Sequence, residues 1–421
     1  MKAQSSAARS LVTLLVGLAA MVALLTIWVG WALPVVVGAI IVMVMGHEFG
    51  HYISAKRSGM AVTDFFVGFG PVLWSTKIGE TRYGVRAILA GGYVKVPGMT
   101  WSDTNVDPAS EARTYRSASY PRKVIFASAG SIMHGVMALL LAFASLTLVG
   151  SPSSSHVGIS GFTPWDAHAR NAAQIAGLHL GDRIMSINGT AITSADQLVN
   201  IVHADSGRHI TMVVQRDGKD LTLHATPVDG RTIKVGGVPL ATGSKSDGYL
   251  GIELNLQTVR TSWWNAIPRS FTQVGSMIAT ATHAMIHVFS PGEFASLFHQ
   301  VASPAAATNR TNQLTRPESI VGVVRIAVQS TQNGPGTLLA ILMTVNVFVG
   351  LLNMIPMLPL DGGYVAVATY ERLRTRRGAP RYRADINRLA PVVYAFMTVL
   401  LVLFASTLYL DIVHPIANPF H

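Results

Sequence analysis

Residues 41–54 read I-V-M-V-M-G-H-E-F-G-H-Y-I-S. His47, Glu48 and His51 form H-E-x-x-H, and on a helix two residues four apart share one face. Two imidazoles so placed can hold one zinc ion, with the intervening glutamate beside them as general base. A bare H-E-x-x-H also arises by chance, as ordinary polar groups at the end of a soluble helix. The flanking residues decide between the two: 35–45 carry no charge. Ionisable side chains at membrane depth are rare there and usually functional. The stretch therefore implies zinc chemistry inside a membrane.

Composition agrees. The chain has 421 residues, of which 50% are apolar and 13% charged, about half the charged share of a soluble protein. Several long uncharged runs point to a multi-pass α-helical membrane protein with an added soluble part. The net charge of +11 fits basic clusters beside membrane helices and implies no nucleic acid. There is no cysteine, so any metal must be held by His, Asp or Glu, and disulfides and thiolate ligands are excluded.

The apolar run from Leu11 to Met45 is too long for a signal peptide core. As one helix it would span roughly 50 Å, against about 30 Å for a bilayer core. It reads as two helices, 10–32 and 35–56, turning near Gly30, Trp31 and Pro34. Further membrane helices are expected at 124–149, 337–354 and 391–413, about five in all. Lys2 and Arg9, then Lys56 and Arg57, Arg122 and Lys123, and the arginines between 372 and 383 all fall on one side of this arrangement, the cytoplasmic side by the positive-inside rule.

Residues 60–99 hold short β-like runs broken by glycines and read as hairpins. They either dip into the bilayer, packed against protein, or form a small cytoplasmic sheet. Residues 157–255 look soluble and mixed in helix and strand, with turns at Asn188-Gly189 and Asp217-Gly218. Residues 261–289 read as an amphipathic helix, lying on the membrane or packed on the soluble domain. Residues 291–333 read as irregular, with one short helix near 319–330.

Zinc needs a third protein ligand. Asp361 is the candidate, at the cytoplasmic end of an apolar helix within N-M-I-P-M-L-P-L-D-G-G, residues 353–363. Pro356 and Pro359 break the helix there and free backbone groups, which a membrane tolerates only beside protein or a cavity. Taken alone, Asp361 is equally readable as part of a helix-terminal turn.

Taken together, H-E-F-G-H in an early helix, N-M-I-P-M-L-P-L-D-G-G in a late one and an inserted A-G-L-H-L-G-D-R-I segment resemble the site-2 protease family of intramembrane zinc metalloproteases. The likeness is nearest to bacterial regulators of sigma-factor signalling of the single-PDZ actinobacterial type. V-G-F-G-P-V-L-W-S and G-G-Y-V-K-V-P-G-M extend it over nearly all of the chain beyond residue 35. The resemblance implies Zn2+ held by His47, His51 and Asp361, Glu48 as general base, and Asn353 contacting the substrate backbone. It implies a membrane-associated β-hairpin region that pairs with an unwound substrate strand, and an inserted α+β PDZ-like domain. The implied divisions are an extra N-terminal membrane helix (1–34), a first catalytic membrane part (35–150), the PDZ-like domain (157–255), an amphipathic connector (256–336) and a second catalytic membrane part (337–421). The substrate is expected to be a single-pass membrane protein of the anti-sigma factor type, pre-cut by another protease. The protein is expected in the bacterial inner membrane among lipid, with the PDZ-like domain extracytoplasmic and the active site opening toward the cytoplasm.

Two features depart from the family pattern. The helix after the hairpins carries A-G-S-I-M-H, so Ser131 and His134 stand where a proline and an asparagine are usual. His134 is then either a buried, hydrogen-bonded side chain, the preferred reading, or an active-site neighbour that tunes the metal. The other departure is the extra first helix. Competing functions are a catalytically silent scaffold presenting its PDZ-like domain, disfavoured by the complete ligand set with Glu48, and a membrane zinc peptidase acting on soluble proteins, which the D-G-G stretch does not fit.

Overall fold

The computed structural model describes residues 2–99, 108–163, 165, 170–235, 238–239, 241, 246–309, 312–313, 316–376 and 382–416. Two compact units emerge: Met1–Ser145 with Trp264–His421, and Leu146–Trp263.

The first unit begins with α1 (Lys2–Val29) and α2 (Ala32–Arg57), followed by β1 (Asp64–Ile78), β2 (Thr81–Lys95) and α3 (Tyr120–Ala144). Among the described residues four helical stretches are long and apolar enough to cross a membrane: Ala32–Arg57, Tyr120–Val149, Pro335–Asn353 and Ala390–Val413. Within α1 the described apolar run is Val16–Trp28. Four of the about five expected spans are thus evident among the described residues.

Small residues let the membrane helices approach closely. A Cβ on Gly50 of α2 would lie 2.5 Å from the Ala129 carbonyl oxygen of α3. The end of α2 is pinned by a cluster of ion pairs. Glu80, in the turn between β1 and β2, pairs with Arg113 at 2.8 Å and Lys56 at 2.6 Å. Arg113, then Lys56, hold its carboxyl down at about 2.

The 60–99 region forms a folded-back sheet. Segment 64–67 registers with both 82–85 and 92–95, while 72–78 registers with 81–86. Ala55 and Met60 at the end of α2, Val62 and Val96 beside the sheet, and Phe126 of α3 bury one another in a shared core.

The second unit is α+β. It holds β3 (Ser151–Phe162), α4 (Ala172–Ile175), β4 (Arg183–Ile187), β5 (Thr190–Ala191), α5 (Ala195–Ala204), β6 (Ile210–Arg216) and β7 (Lys219–Ala225). Next come β8 (Val228–Asp229), β9 (Lys234–Val235), β10 (Val238–Pro239), β11 (Gly248–Tyr249) and β12 (Ile252–Val259). The main sheet runs β12-β3-β4-β6-β7, with β5 on β4. Both expected turns have positive φ at each central residue: Asn188 and Gly189, Asp217 and Gly218. That is the conformation a type I′ hairpin turn requires. Val157, Ile159, Ile184, Ile187, Ile210 and Met212 belong to the core.

Back in the first unit, α6 (Trp263–Val288) lays Val274 against Ala138, Ala142, Met343 and Val347 of the apolar helices. The short helix expected near 319–330 is present as α9 (Ile320–Ser330), but the expectation of an irregular chain before it is corrected: α7 (Pro291–Ala302) and α8 (Pro304–Thr308) occupy much of it. The Ser-Pro pairs there are helix starts: Ser290 and Ser303 each accept a backbone N–H as N-caps, with proline in the first turn. The chain closes with α10 (Pro335–Asn353), α11 (Asp361–Arg374) and α12 (Ala390–Val413). Of the arginines expected between 372 and 383, Arg377 and Arg381 lie outside the described residues.

The close α2–α3 contact gives a clear expectation. Gly50→Val should destabilise the protein by about 1–3 kcal/mol, as overpacking does, and lower its thermal unfolding temperature in detergent. Gly38→Val, on the same helix with nothing within 4 Å of its Cβ, should leave that temperature unchanged. Equal behaviour of the two variants would contradict the packing described.

Candidate metal centre

Helix α2 carries His47, Glu48 and His51. The Nδ1–H of His51 donates to the Phe126 carbonyl oxygen of α3 at 2.9 Å. A carbonyl only accepts, so this bond fixes the tautomer and leaves the Nε2 lone pair free, as a metal-binding imidazole requires. The Nε2 atoms of His47 and His51 lie 3.2 Å apart.

Asp361 reaches the same point from the other end of the sequence. Its Oδ2 lies 3.3 Å from His47 Nε2 and 3.2 Å from His51 Nε2. Asp361 opens α11, where the helix dipole favours a carboxylate. The tight approach demands glycine after it: a Cβ on Gly362 would sit 2.3 Å from the Met354 carbonyl oxygen, and one on Gly363 2.4 Å from the Leu358 nitrogen.

The three groups fit a metal ion. Their ligand atoms all lie within 4.8 Å of one another. Separations of 3.2–3.3 Å match the edge of a tetrahedron whose ligands stand about 2.0–2.1 Å from its centre, the zinc–imidazole distance. Only glycine at position 130 leaves room for this arrangement. A Cβ there would meet His47 Cε1 at 2.3 Å and His51 Nε2 at 2.5 Å. The three groups come from one apolar helix, α2, and from the start of α11 just after another, α10, and their ligand atoms converge.

Glu48 lies beside the sheet. A Cβ on Gly92 would lie 3.1 Å from Glu48 Cγ. The 92–95 segment, which registers with 64–67 on one side, thus runs next to the glutamate. His134 of α3 is 1% exposed. Its Nδ1 bonds to Asn346 Oδ1 of α10 at 3.0 Å, and its ring centroid is 5.1 Å from that of His47. Asn353, half-buried at the end of α10, is not one of the converging ligands.

Several contributors escaped the sequence reading: the Phe126 carbonyl, Gly130, the backbone at Gly92 and Asn346. A backbone group leaves no signal in side-chain type. Asn346 did leave one, an amide within the apolar run 335–353, since polar residues at that depth seldom lack a purpose.

Comparison with known proteins accords with this geometry. Residues 35–400 match the family described as Peptidase family M50. Zinc metalloprotease Rip1 of Mycobacterium tuberculosis (strain ATCC 25618 / H37Rv) is 29% identical over 402 residues, covering 90% of this chain and 96% of that protein. Zinc metalloprotease Rip1 of Mycolicibacterium smegmatis is 27% identical over 408 residues, covering 90% and 96%. Putative zinc metalloprotease all3971 of Nostoc sp. is 25% identical over 379 residues, covering 88% and 94%. The match runs from the start of α2 into α12, and the similar proteins are zinc metalloproteases over almost their whole length. With a group of two histidines and an aspartate that suits zinc, the chain belongs to peptidase family M50, the site-2 protease family, as a membrane-embedded zinc metalloendopeptidase.

Proposed function

We propose that this enzyme cuts within the membrane, on a membrane-spanning segment of a single-pass substrate of the anti-sigma factor type that another protease has already trimmed. The observation that carries the reading is where the ligands sit. His47 and His51 lie on α2 and Asp361 follows α10, and both helices are long and apolar enough to cross a bilayer.

In this reading His47, His51 and Asp361 hold the zinc. When bound, zinc supplies Lewis-acid activation of a water and of the scissile carbonyl. Glu48 accepts a proton from the attacking water and delivers it to the leaving amine nitrogen. The backbone at Gly92 packs against its side chain and so helps to orient the carboxylate. Asn353 holds the substrate backbone near the scissile bond. A substrate helix hides its peptide bonds in hydrogen bonds and must unwind first. The strand 92–95 beside Glu48 supports recognition by strand addition, in which main-chain pairing holds the unwound segment. Exposed Phe69, Leu73 and Ile88 of the sheet support its lying in lipid.

The remaining assignments complete the proposal. Helix α1 is an additional crossing before the catalytic helices. The α+β unit is PDZ-like and extracytoplasmic, and either excludes substrates with an untrimmed outer domain or binds a newly made C-terminus. The site opens toward the cytoplasm of a bacterial cell. The charge bias supports that topology: Lys56, Arg57, Arg122, Arg372, Arg374, Arg376 and Arg383 share one side. Lys123 of that cluster pairs with Glu371 at 2.8 Å and contributes less free charge.

Purified Glu48→Gln should keep its zinc and lose cleavage of a membrane-helix substrate by roughly 10²–10⁴-fold, the range for a lost general base. Cleavage at the wild-type rate would contradict the role given to Glu48. Asp361→Ala should lower zinc stoichiometry as well as activity, read by metal analysis after dialysis; unchanged stoichiometry would remove Asp361 from the ligand set. Because the chain has no native cysteine, single cysteines at Asp217 and Arg376 report topology. An impermeant thiol reagent on intact cells should label the first and spare the second; the opposite pattern would invert the proposed orientation.

A further inference from the structure

His47 presents a buried polar atom without a partner. Its Nε2 faces His51 and Asp361, while its Nδ1 is buried and makes no hydrogen bond. His51 does not share this defect, because its Nδ1–H is taken by Phe126. For Nε2 of His47 to offer a lone pair to a metal, Nδ1 must carry the proton, and a buried N–H without an acceptor loses its hydration with nothing in return. One of the two histidines thus lacks the outer partner that ordinarily fixes such a ligand.

The missing acceptor is close by. Asn346 Nδ2 donates to the Leu342 carbonyl at 2.8 Å, which settles the orientation of its amide. Its Oδ1 therefore faces His134, and the 3.0 Å contact requires that His134 Nδ1 carry the hydrogen. The neutral imidazole of His134 then carries its lone pair on Nε2. His134 stands one turn along α3 from Gly130, on the same face. Position 130 in turn lies against the Nδ1 edge of His47, 2.6 Å from its would-be Cβ. A centroid separation of 5.1 Å is the span of one ring-to-ring hydrogen bond, about 3 Å between nitrogens plus the half-width of each ring. The histidine χ2 well is broad, so a modest rotation of the His47 ring aligns the two atoms.

We propose that His134 is a positioning residue for the metal centre: its Nε2 accepts the Nδ1–H of His47, and the chain Leu342–Asn346–His134–His47 fixes the tautomer in which His47 binds zinc. The inference rests on the reading of His47 as a ligand.

The test uses the full-length protein in detergent, with zinc affinity from competition against a fluorescent chelator and the visible absorption of the Co2+-loaded protein as a record of ligand geometry. His134→Leu removes the acceptor and should weaken zinc binding about 10–100-fold, the usual penalty for losing an outer-shell partner, with an altered Co2+ spectrum. His134→Gln places a carbonyl oxygen near the position of Nε2 and should restore both the affinity, to within about threefold, and the spectrum. Asn346→Leu, remote from the ligands, should weaken binding in the same direction. Wild-type affinity in His134→Leu, or equal weakness in His134→Leu and His134→Gln, would overturn the proposal. Should His134→Leu fail to fold, wild-type affinity in Asn346→Leu would overturn it instead. His47→Ala separates the two levels. Loss of tight binding there, with no effect at His134, refutes only the positioning role, whereas retained tight binding refutes the ligand reading itself.

Discussion

Three lone-pair groups meet at one point among apolar helices, and the rest of the first unit is arranged to make that tolerable. Two imidazoles and a carboxylate with acceptor atoms 3.2–3.3 Å apart repel one another and lose their hydration when buried. A divalent cation reverses the balance by giving every lone pair the same partner. Helix packing has to deliver the groups to within a few tenths of an ångström. Gly50 brings α2 against the backbone of α3, Gly130 makes room for both imidazoles, and Gly362 and Gly363 fold the 354–358 loop under Asp361. Lys123 and Glu371 then join α3 to α11 at 2.8 Å.

The sheet after α2 is tied to the same centre from two directions. Glu80 bridges Lys56 and Arg113, holding the β1–β2 turn to the end of the helix that carries His47 and His51. Nearer the centre, the strand segment at Gly92 packs against Glu48. In the proposed mechanism, backbone recognition of substrate and proton transfer draw on the same few residues. That coupling gives a physical reason for a catalytic helix to be followed at once by a glycine-rich sheet.

Much of this was legible in the sequence because membranes narrow the options. His47, Glu48 and His51 after an uncharged run, and Asp361 in a proline-broken stretch followed by two glycines, leave few readings once water is excluded. The turns at Asn188-Gly189 and Asp217-Gly218 were legible because positive φ selects those residues. The short helix at 320–330 was legible, but those of 291–308 were not, since serine and proline mark helix starts and loops alike, and only the chain direction after them decides. The folded-back pairing of 64–67 was hidden too, because strand register depends on partners that no local pattern names. At the site, the contribution of the Phe126 carbonyl was invisible for the same reason, whereas Asn346 and His134 were visible as polar residues in apolar helices without revealing that they bond to each other.

The account stands on two imidazoles and one carboxylate as the protein ligands of a single zinc. X-ray absorption at the zinc edge of the purified wild-type protein measures this directly. The account predicts a first shell of nitrogen and oxygen only, at about 2.0–2.1 Å, with outer-shell scattering that fits two imidazoles per zinc. Outer-shell scattering from three imidazoles would place His134 on the metal in place of an outer position, and scattering from one or none would show that His47 and His51 do not converge on zinc; either result would contradict it.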